Sequence, residues 1–487
     1  MSDAAPVILW FRDDLRLADH RALKAALESG APVIPVFILD DDAAGNWRLG
    51  AASRWWLAHS LASLQKSLAQ RGVHLILRRG PTQEILIALV EETNSSAIYF
   101  TRSYEPWAVA LEHELKTTFD RQSIAFKRYG GRLLREPEDL RTKTGDVYKV
   151  YTPFWRALSA SFTPPPEIPV PQKIRPLKSS LKSEALENWK LLPSKPNWAV
   201  GFQDTWQPGE QGAAQALDTF LSNALRTYTE DRNRPDKLGT SRLSPHLHFG
   251  EISPAQCWRA AMAYSARHKG VDKGLETFLK EIVWREFSYS LLFHWPDLPE
   301  QPFRKDFAAF PWAKNVAHLK AWQRGQTGYP IVDAGMRELW HTGYMHNRVR
   351  MIVASFLIKH LLIPWQDGEA WFWDTLLDAD LASNAASWQW VAGSGADAAP
   401  YFRIFNPVTQ GEKFDPDGVY VRRWVPEISK LPTAVLYAPW TAPDEILKTA
   451  GVQLGKNYPM PIVDHASARQ RALDAYEAVK RASAKTE

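Results

Sequence analysis

The chain has 487 residues, of which 45% are hydrophobic and 23% charged, and this length predicts two domains or one large composite in place of a single core. Its formal net charge of +5 permits nucleic-acid binding without requiring it, because many enzymes with other substrates are equally basic. The single cysteine, Cys257, excludes internal disulfides, and no apolar run is long enough to cross a bilayer, so we expect a cytoplasmic protein with no metal centre.

The first 133 residues alternate short apolar runs with amphipathic segments at the lengths typical of strand–helix units. Charged residues follow the opening apolar run VILWF directly, and no basic stretch precedes it. This pattern predicts a buried strand instead of a secretion signal. No G-x-G-x-x-G motif follows it, so a dinucleotide site here lacks support. A helix is predicted over Ser53–Arg71. The strands are predicted at Val7–Phe11, Val33–Leu39, His74–Leu77, Ala97–Phe100 and Ala125–Arg128.

Residues 134–200 are predicted to be an extended linker, because the stretch TPPPEIPVPQKIRPLK cannot form a helix or a central strand. From about residue 212 onward the periodicity is helical. Examples are Ala213–Thr229, Gly274–Phe293, Val332–His341, Asn347–Leu362 and Ala466–Ala482. The predicted architecture is therefore an α/β domain over 1–133 with a parallel, Rossmann-like sheet, the linker, and a large all-α domain over 201–487.

Five segments carry recognisable chemistry, in the order WFRDDLRLADH (10–20), GTSRLSPHLHFGEIS (239–253), EIVWREF (281–287), TGYPIVDAGMRELWHTGYMHNRVRM (327–351) and the run 376–418 that contains DLASNAASWQW. Together they closely resemble the photolyase/cryptochrome family, above all its cyclobutane pyrimidine dimer photolyases. The resemblance implies an N-terminal α/β domain and a helical FAD domain, which agrees with the pattern. It also implies a carbon–carbon lyase that repairs ultraviolet-damaged DNA under light. We expect the protein to act as a monomer.

The segment TSRLSPH on its own predicts a helix start, since Thr and Ser cap helices and Pro245 suits a first turn. Exposed N–H groups at such a start can bind an anion. The resemblance assigns this segment to the FAD pyrophosphate, pairs Asp378 with Arg350, and places Asn384 against the reactive ring nitrogen of the flavin. The cofactor-binding residues that it implies are Tyr228, Thr240, Ser241, Arg242, Leu243, Ser244, Phe278, Arg350, Asp378, Asp380 and Asn384.

A lesion pocket is implied on three helices. Glu281 and Trp284 are three residues apart and Asn347 and Met351 four apart, so each pair shares one helix face. The residues implied to contact the dimer or the DNA backbone are Arg232, Glu281, Trp284, Asn347, Arg348, Met351, Trp390, Arg403 and Gln410. Photolyases that repair 6-4 products typically have a histidine in place of Asn347, and DASH-type cryptochromes a glutamine in place of Met351. The segment SRWWL (53–57) is similar to plant cryptochromes and class III photolyases.

Packing accounts for most of the 22 tryptophans, including Trp371 and Trp373. The resemblance assigns Trp388, Trp365 and Trp312 to a chain that carries electrons to the flavin. With Glu281 and Asn384 they make up the catalytic set.

The active cofactor is expected to be fully reduced, anionic FAD. A second chromophore is expected to harvest light, with methenyltetrahydrofolate the first choice, a deazaflavin the second, and Glu105 in SYEPW a candidate contact. Two alternatives stay open: a cryptochrome-type blue-light photoreceptor and a 6-4 photolyase. Asparagine at position 384 favours repair, because plant cryptochromes typically carry aspartate there.

Overall fold

The first domain is built on five parallel strands, β1 (Val7–Phe11), β2 (Val33–Leu39), β3 (Ile76–Arg79), β4 (Ala97–Thr101) and β5 (Ala125–Tyr129). Their order in the sheet is β3-β2-β1-β4-β5. The structure is a computed structural model and describes residues 4–398 and 402–483. In β1 and β2 every residue is buried, as expected for parallel strands covered on both faces. All five predicted strands are confirmed, although β3 begins later than predicted, where Ile76 pairs with Val36.

Helices cover both faces of this sheet, and their bounds are α1 Arg21–Glu28, α2 Ala51–Ala69, α3 Thr82–Thr93 and α4 Pro106–Arg121. Successive strand residues enter different cores, because side chains alternate across a strand. Leu9 and Phe11 pack in the same core as residues of α1 and α2, whereas Ile8 and Trp10 pack with residues of α3 and α4. The sheet therefore forms the middle of a three-layer domain, as its pattern predicted.

The segment 134–200 is only partly the extended linker that was predicted. Its proline-rich stretch contains no helix and runs alongside the sheet domain. The carbonyl of Ile168 accepts the backbone N–H of Asp19, and the carbonyl of Arg175 accepts that of Val33. A helix, α5 (Tyr151–Ser161), interrupts the linker. It forms because its buried aromatic and aliphatic side chains pack into the core of the helical domain.

The helical domain follows with sixteen α-helices in the described part of the chain. They are α6 Val200–Thr205, α7 Glu210–Asn223, α8 Tyr228–Asp231, α9 Ser244–His248, α10 Pro254–Ser265, α11 Asp272–His294, α12 Val316–Gln323, α13 Pro330–Thr342, α14 Asn347–Ser355, α15 Trp365–Thr375, α16 Leu381–Ala392, α17 Pro407–Phe414, α18 Val419–Trp424, α19 Thr433–Leu436, α20 Asp444–Ala450 and α21 His465–Ser483. None of the helices in the described ranges has the length and apolar character that spanning a membrane requires.

Two long helices of the prediction are shorter in the structure. The predicted helix Ala213–Thr229 is divided after α7, where Gly274 of α11 approaches so closely that a Cβ there would lie 1.7 Å from the carbonyl oxygen of Leu225. The predicted helix Asn347–Leu362 changes after α14 into a π-helical turn over Phe356–His360. The first break arises from tertiary packing, which helical periodicity alone does not reveal.

The two domains are joined by buried polar contacts as well as by apolar packing. Trp56 of α2 donates its indole N–H to Oε1 of Glu251 at 3.0 Å, and Arg16 donates to the carbonyl of Gly250 at 2.8 Å. Gly50 lies against the backbone of Trp373 in α15. These contacts hold the N-terminal end of α2 against the helical domain.

Candidate functional site

A cavity of about 550 Å³ opens into the helical domain between α8, α9, α11, α14 and α16. It brings together most of the residues that the sequence assigned to cofactor and lesion. Those that line it are Tyr228, Arg232, Thr240, Ser241, Arg242, Leu243, Ser244, Phe278, Glu281, Trp284, Asn347, Arg348, Arg350, Met351, Asp378, Asp380, Asn384, Trp388 and Trp390. Residues distant in sequence thus share one space that can hold a large ligand together with a second group.

One wall is the loop from Thr240 to Ser244 that leads into α9. Arg242 has a φ of +54°, and this left-handed conformation turns the chain sharply. Its guanidinium lies over the rings of Trp206, at 4.4 Å, and Tyr344, at 5.1 Å. Its buried Nε has no hydrogen-bond partner among the described residues. The loop therefore offers an anionic group three hydroxyls, from Thr240, Ser241 and Ser244, and a cation.

A second wall carries the ion pair between Arg350 of α14 and Asp378. Arg350 donates from Nη2 to both carboxylate oxygens, at 2.8 and 3.1 Å, and from Nε to the carbonyl of Met345 at 2.7 Å. The predicted pairing is confirmed. Because both partners are largely buried, the pair also fixes the segment before α16 against α14.

Asp380 is a buried anion at the beginning of α16. Its Oδ1 accepts the backbone N–H of Ser383 at 2.8 Å, which caps the helix, and its Oδ2 accepts the hydroxyl of Tyr289. Burial raises the pKa of Asp380, but nearby His248 and the positive charges of Arg285 and Arg132 lower it more, so the net shift is well below the ordinary value. The carboxylate thus stays charged inside the protein.

Asn384 lies one turn further along α16 and is buried. Its Nδ2 donates to the backbone carbonyl of Glu369 in α15 at 3.1 Å. This contact anchors the side-chain amide, so a neutral polar group is held at the cavity wall beside Trp388.

The mouth of the cavity is aromatic. Trp284 stacks on Tyr151 of α5 with ring centroids 3.6 Å apart and an interplanar angle of 6°. Trp390 is oriented by its indole N–H, which donates to the carbonyl of Asp397 at 3.1 Å. Tyr151 was missed because the sequence placed it in an extended linker. Two fixed indoles can enclose a flat, uncharged group between them.

Polar groups of α14 complete the mouth. Arg348 donates from Nη2 to Oδ1 of Asn233 at 2.6 Å, and its guanidinium lies 4.4 Å from the ring centroid of Phe414. Asn347 and Met351 line the cavity on the same helix, as their spacing predicted.

Of the three tryptophans assigned to electron transfer, two are buried and the third is only partly buried. Trp388 lines the cavity, Trp365 is buried at the start of α15, and Trp312 is only partly buried. At Gly368 a Cβ would lie 2.1 Å from the ring of Trp388, so the glycine lets α15 pack directly on that indole. A separate pair, Trp340 and Trp371, is stacked with centroids 6.2 Å apart.

Three predicted contacts lie away from the cavity. Glu105 is buried, and its Oε1 lies 2.7 Å from Nη2 of Arg132. The prediction that its carboxylate contacts an antenna chromophore therefore lacks support. Arg403 is exposed, and its carbonyl accepts a hydrogen bond from the buried Lys359. Gln410 is partly exposed on α17. The structure does not place these three side chains at a shared site.

A second cavity, of about 480 Å³, lies between the loop before α2 and α15. Trp47 and Trp373 line it and meet edge to face with centroids 5.5 Å apart. Glu369 also lines it, is fully buried, and neither of its carboxylate oxygens has a hydrogen-bond partner in the described chain. Burial and the nearby Glu300 raise the pKa of Glu369 well above its ordinary value, which favours the neutral form of the carboxyl group. No motif in the sequence indicated this cavity.

Comparisons with known proteins agree on one family. Residues 7–172 match the family described as DNA photolyase, and residues 278–478 match the FAD binding domain of DNA photolyase. The chain is 55% identical over 477 residues to a deoxyribodipyrimidine photo-lyase of Agrobacterium fabrum, covering 98% of each protein. It is 40% identical to cryptochrome-1 of Arabidopsis thaliana, over 95% of this chain and 69% of that protein. The crystal structure of a bacterial class III photolyase from Agrobacterium tumefaciens superposes with a TM-score of 0.95 at 54% identity, covering 99% of this chain and 100% of that one.

Proposed function

The chain belongs to the photolyase/cryptochrome family, and we propose that it is a deoxyribodipyrimidine photo-lyase that uses light to repair cyclobutane pyrimidine dimers in DNA. The observation that carries this proposal is the single cavity in which an anion-binding loop, a buried carboxylate and an anchored amide lie behind an aromatic mouth. A cofactor and a flipped pair of bases can meet there. The similarity to a class III photolyase supports assignment to that class.

The residues of the inner cavity fit FAD. Arg242 and the hydroxyls of Thr240 and Ser244 would hold its pyrophosphate. The buried Nε2 of His248 has no hydrogen-bond partner in the described part of the chain and lines the same space, which leaves a polar atom for a ligand. When bound in its fully reduced anionic form, FAD supplies the light-driven electron transfer that opens the cyclobutane ring without net redox change.

The chain's own residues bind, orient and shield the reacting groups. Trp284 and Trp390 form walls on which the two pyrimidines can stack. The amide of Asn347 can donate a hydrogen bond to a base carbonyl, and Glu281 can hydrogen-bond the dimer. As a class, photolyases take the target bases out of the helix, and a pre-existing lesion lowers the cost of that step. The aromatic walls exclude water from the space between base and cofactor. Arg348, with a positive charge at the mouth, would attract the phosphate backbone.

Light-dependent reversal is expected for an oligonucleotide with one cyclobutane dimer and not for one with a 6-4 product. The lesion pocket has Asn347 where a 6-4 enzyme would have a histidine, so the rates should differ by at least about a hundredfold. The measurement is chromatography of both oligonucleotides after illumination with the flavin-reduced protein, with samples kept in the dark as the control. Persistence of the cyclobutane dimer would favour the alternative, a cryptochrome-type photoreceptor.

We propose that the second cavity holds the light-harvesting chromophore, with methenyltetrahydrofolate the first choice and a deazaflavin the second. Two features support this placement in preference to Glu105. Trp47 and Trp373 offer aromatic surface, and the neutral carboxyl of Glu369 can donate one hydrogen bond and accept another from a fused-ring amide. The monomeric state and the cytoplasmic location stay predictions.

Glu369→Leu is expected to weaken folate binding about tenfold, because the buried ligand would lose its polar partner. Glu369→Gln, which keeps one donor and one acceptor, should recover much of the affinity. Both are measured by folate absorbance after reconstitution, with FAD content as the internal control. Equal folate binding by all three proteins would place the chromophore elsewhere.

A further inference from the structure

Two residues that serve different parts of the bound DNA are paired with each other in the free protein. Arg232, directly after α8, lies with Nη2 2.7 Å from Oε1 of Glu281 on α11, and 27% of each side chain is exposed. Under the proposed function Arg232 faces the phosphate backbone and Glu281 faces the dimer. A phosphate that binds the Nη2 edge of Arg232 competes with the carboxylate of Glu281 for the same N–H donors, and DNA binding can therefore break this pair.

The surroundings leave Glu281 dependent on that one cation. From α5 the ring of Tyr151 faces it, and from α8 the ring of Tyr228, and both are uncharged phenols at neutral pH. From α14 Arg348 faces Arg232 and repels it. Beyond Tyr151 lies the carboxylate of Asp397, which accepts the Tyr151 backbone N–H at 3.2 Å. On its own helix the neighbouring Lys280 is paired with Glu276 at 2.6 Å and is thereby directed away.

We propose that Arg232 and Glu281 form an exchange pair: a phosphate of damaged DNA takes Arg232 from Glu281, and Glu281 then takes up a proton from solvent. This step rests on the proposed function and adds a coupling between backbone contact and lesion contact. The balance is simple, since one proton enters and no bond other than O–H is formed. The protonated carboxyl then donates a hydrogen bond to a carbonyl oxygen of the dimer, which an ionised carboxylate cannot do.

The electrostatics favour this direction. Burial raises the pKa of Glu281, and the charge and hydrogen bond of Arg232 oppose that rise in the free protein. Withdrawal of Arg232 leaves burial unopposed, and a nearby phosphate raises the pKa further. Because the pKa is higher in the complex than in the free protein, binding takes up protons, and affinity increases as the pH falls between the two values.

The test measures proton uptake during binding in the dark, with the FAD-loaded protein. Calorimetric titration with a duplex that carries one cyclobutane dimer is repeated at one pH in two buffers of different ionisation enthalpy. We expect uptake of up to about one proton per complex, and a dissociation constant that rises by up to about tenfold per pH unit. Glu281→Gln should abolish both, since its amide does not titrate.

Arg232→Gln provides the second arm. This variant leaves Glu281 unpaired before DNA arrives, so the carboxyl is already protonated more often and uptake on binding should fall. The exchange is wrong if the wild-type protein takes up no proton on binding. It is also wrong if Glu281→Gln takes up as many protons as the wild-type protein. Repair under light, measured on the same wild-type samples, reports separately on the proposed function: repair without proton uptake rejects only the exchange.

Discussion

Asp380→Asn is expected to lower the free energy of unfolding by about 3 kcal/mol, because it removes one charge from a buried cluster of opposite charges. Asparagine is as good a helix cap as aspartate, so the hydrogen bond to the backbone N–H of Ser383 is preserved. The positive charges of Arg132 and Arg285, which lower the pKa of Asp380 against the effect of burial, would lose one neutralising carboxylate, while Arg132 keeps its ion pair with Glu105. The measurement is the urea midpoint of the FAD-free protein.

The pH dependence separates this effect from a packing defect. The pKa of folded Asp380 lies below its ordinary value, so the stabilising charge is present at every pH above the unfolded range and is lost only as the pH falls through the folded pKa. The difference between wild type and variant should therefore be constant from about pH 8 to about pH 5. Asp306→Asn is the matched control, since Asp306 pairs with Arg304 at 2.7 Å near the surface and should change stability by no more than about 1 kcal/mol. Equal losses in the two variants would contradict a special role for Asp380.

The sheet was predictable because its strands are continuous apolar runs bounded by charged or turn residues. The apolar run of β2 is buried along its whole length. A run that is so short and bounded in this way is typical of a buried strand. The edge strand β3 was placed less accurately, since its start depends on where Val36 supplies a partner. The break between α7 and α8 depends in the same way on the close approach of Gly274. Local pattern therefore predicts which elements exist, and contacts between elements set where they end.

The sequence predicted which residues belong to the site better than it predicted which of them contact each other. The family resemblance supplied the pairing of Arg350 with Asp378, which the structure confirms. It did not supply the stacking of Tyr151 on Trp284, because these residues are 133 positions apart and belong to segments of different predicted character. The neutral acid Glu369 was likewise invisible, since its state follows from burial and not from its neighbours in sequence.

Trp388→Phe is expected to slow photoreduction of bound oxidised flavin at least about tenfold, a change of about 1.4 kcal/mol in activation free energy. Trp388 is the indole of the predicted chain that lines the cofactor cavity, and phenylalanine is far harder to oxidise. The measurement is loss of oxidised-flavin absorbance under blue light with an external reductant. Once the flavin is reduced chemically, the variant should repair cyclobutane dimers at the wild-type rate, because the chain only supplies electrons to the cofactor.

The control has to separate loss of an electron carrier from loss of packing. Trp322→Phe is a suitable control. Trp322 is fully buried, its ring centroid lies 6.3 Å from that of Trp388, and its indole N–H donates to the carbonyl of Val353. It should destabilise the fold yet leave photoreduction nearly unchanged. Fast photoreduction in Trp388→Phe would instead require another carrier. The stacked pair Trp340 and Trp371 is then the next to test, since 54% of Trp340 is exposed and it can exchange electrons with a reductant in solution.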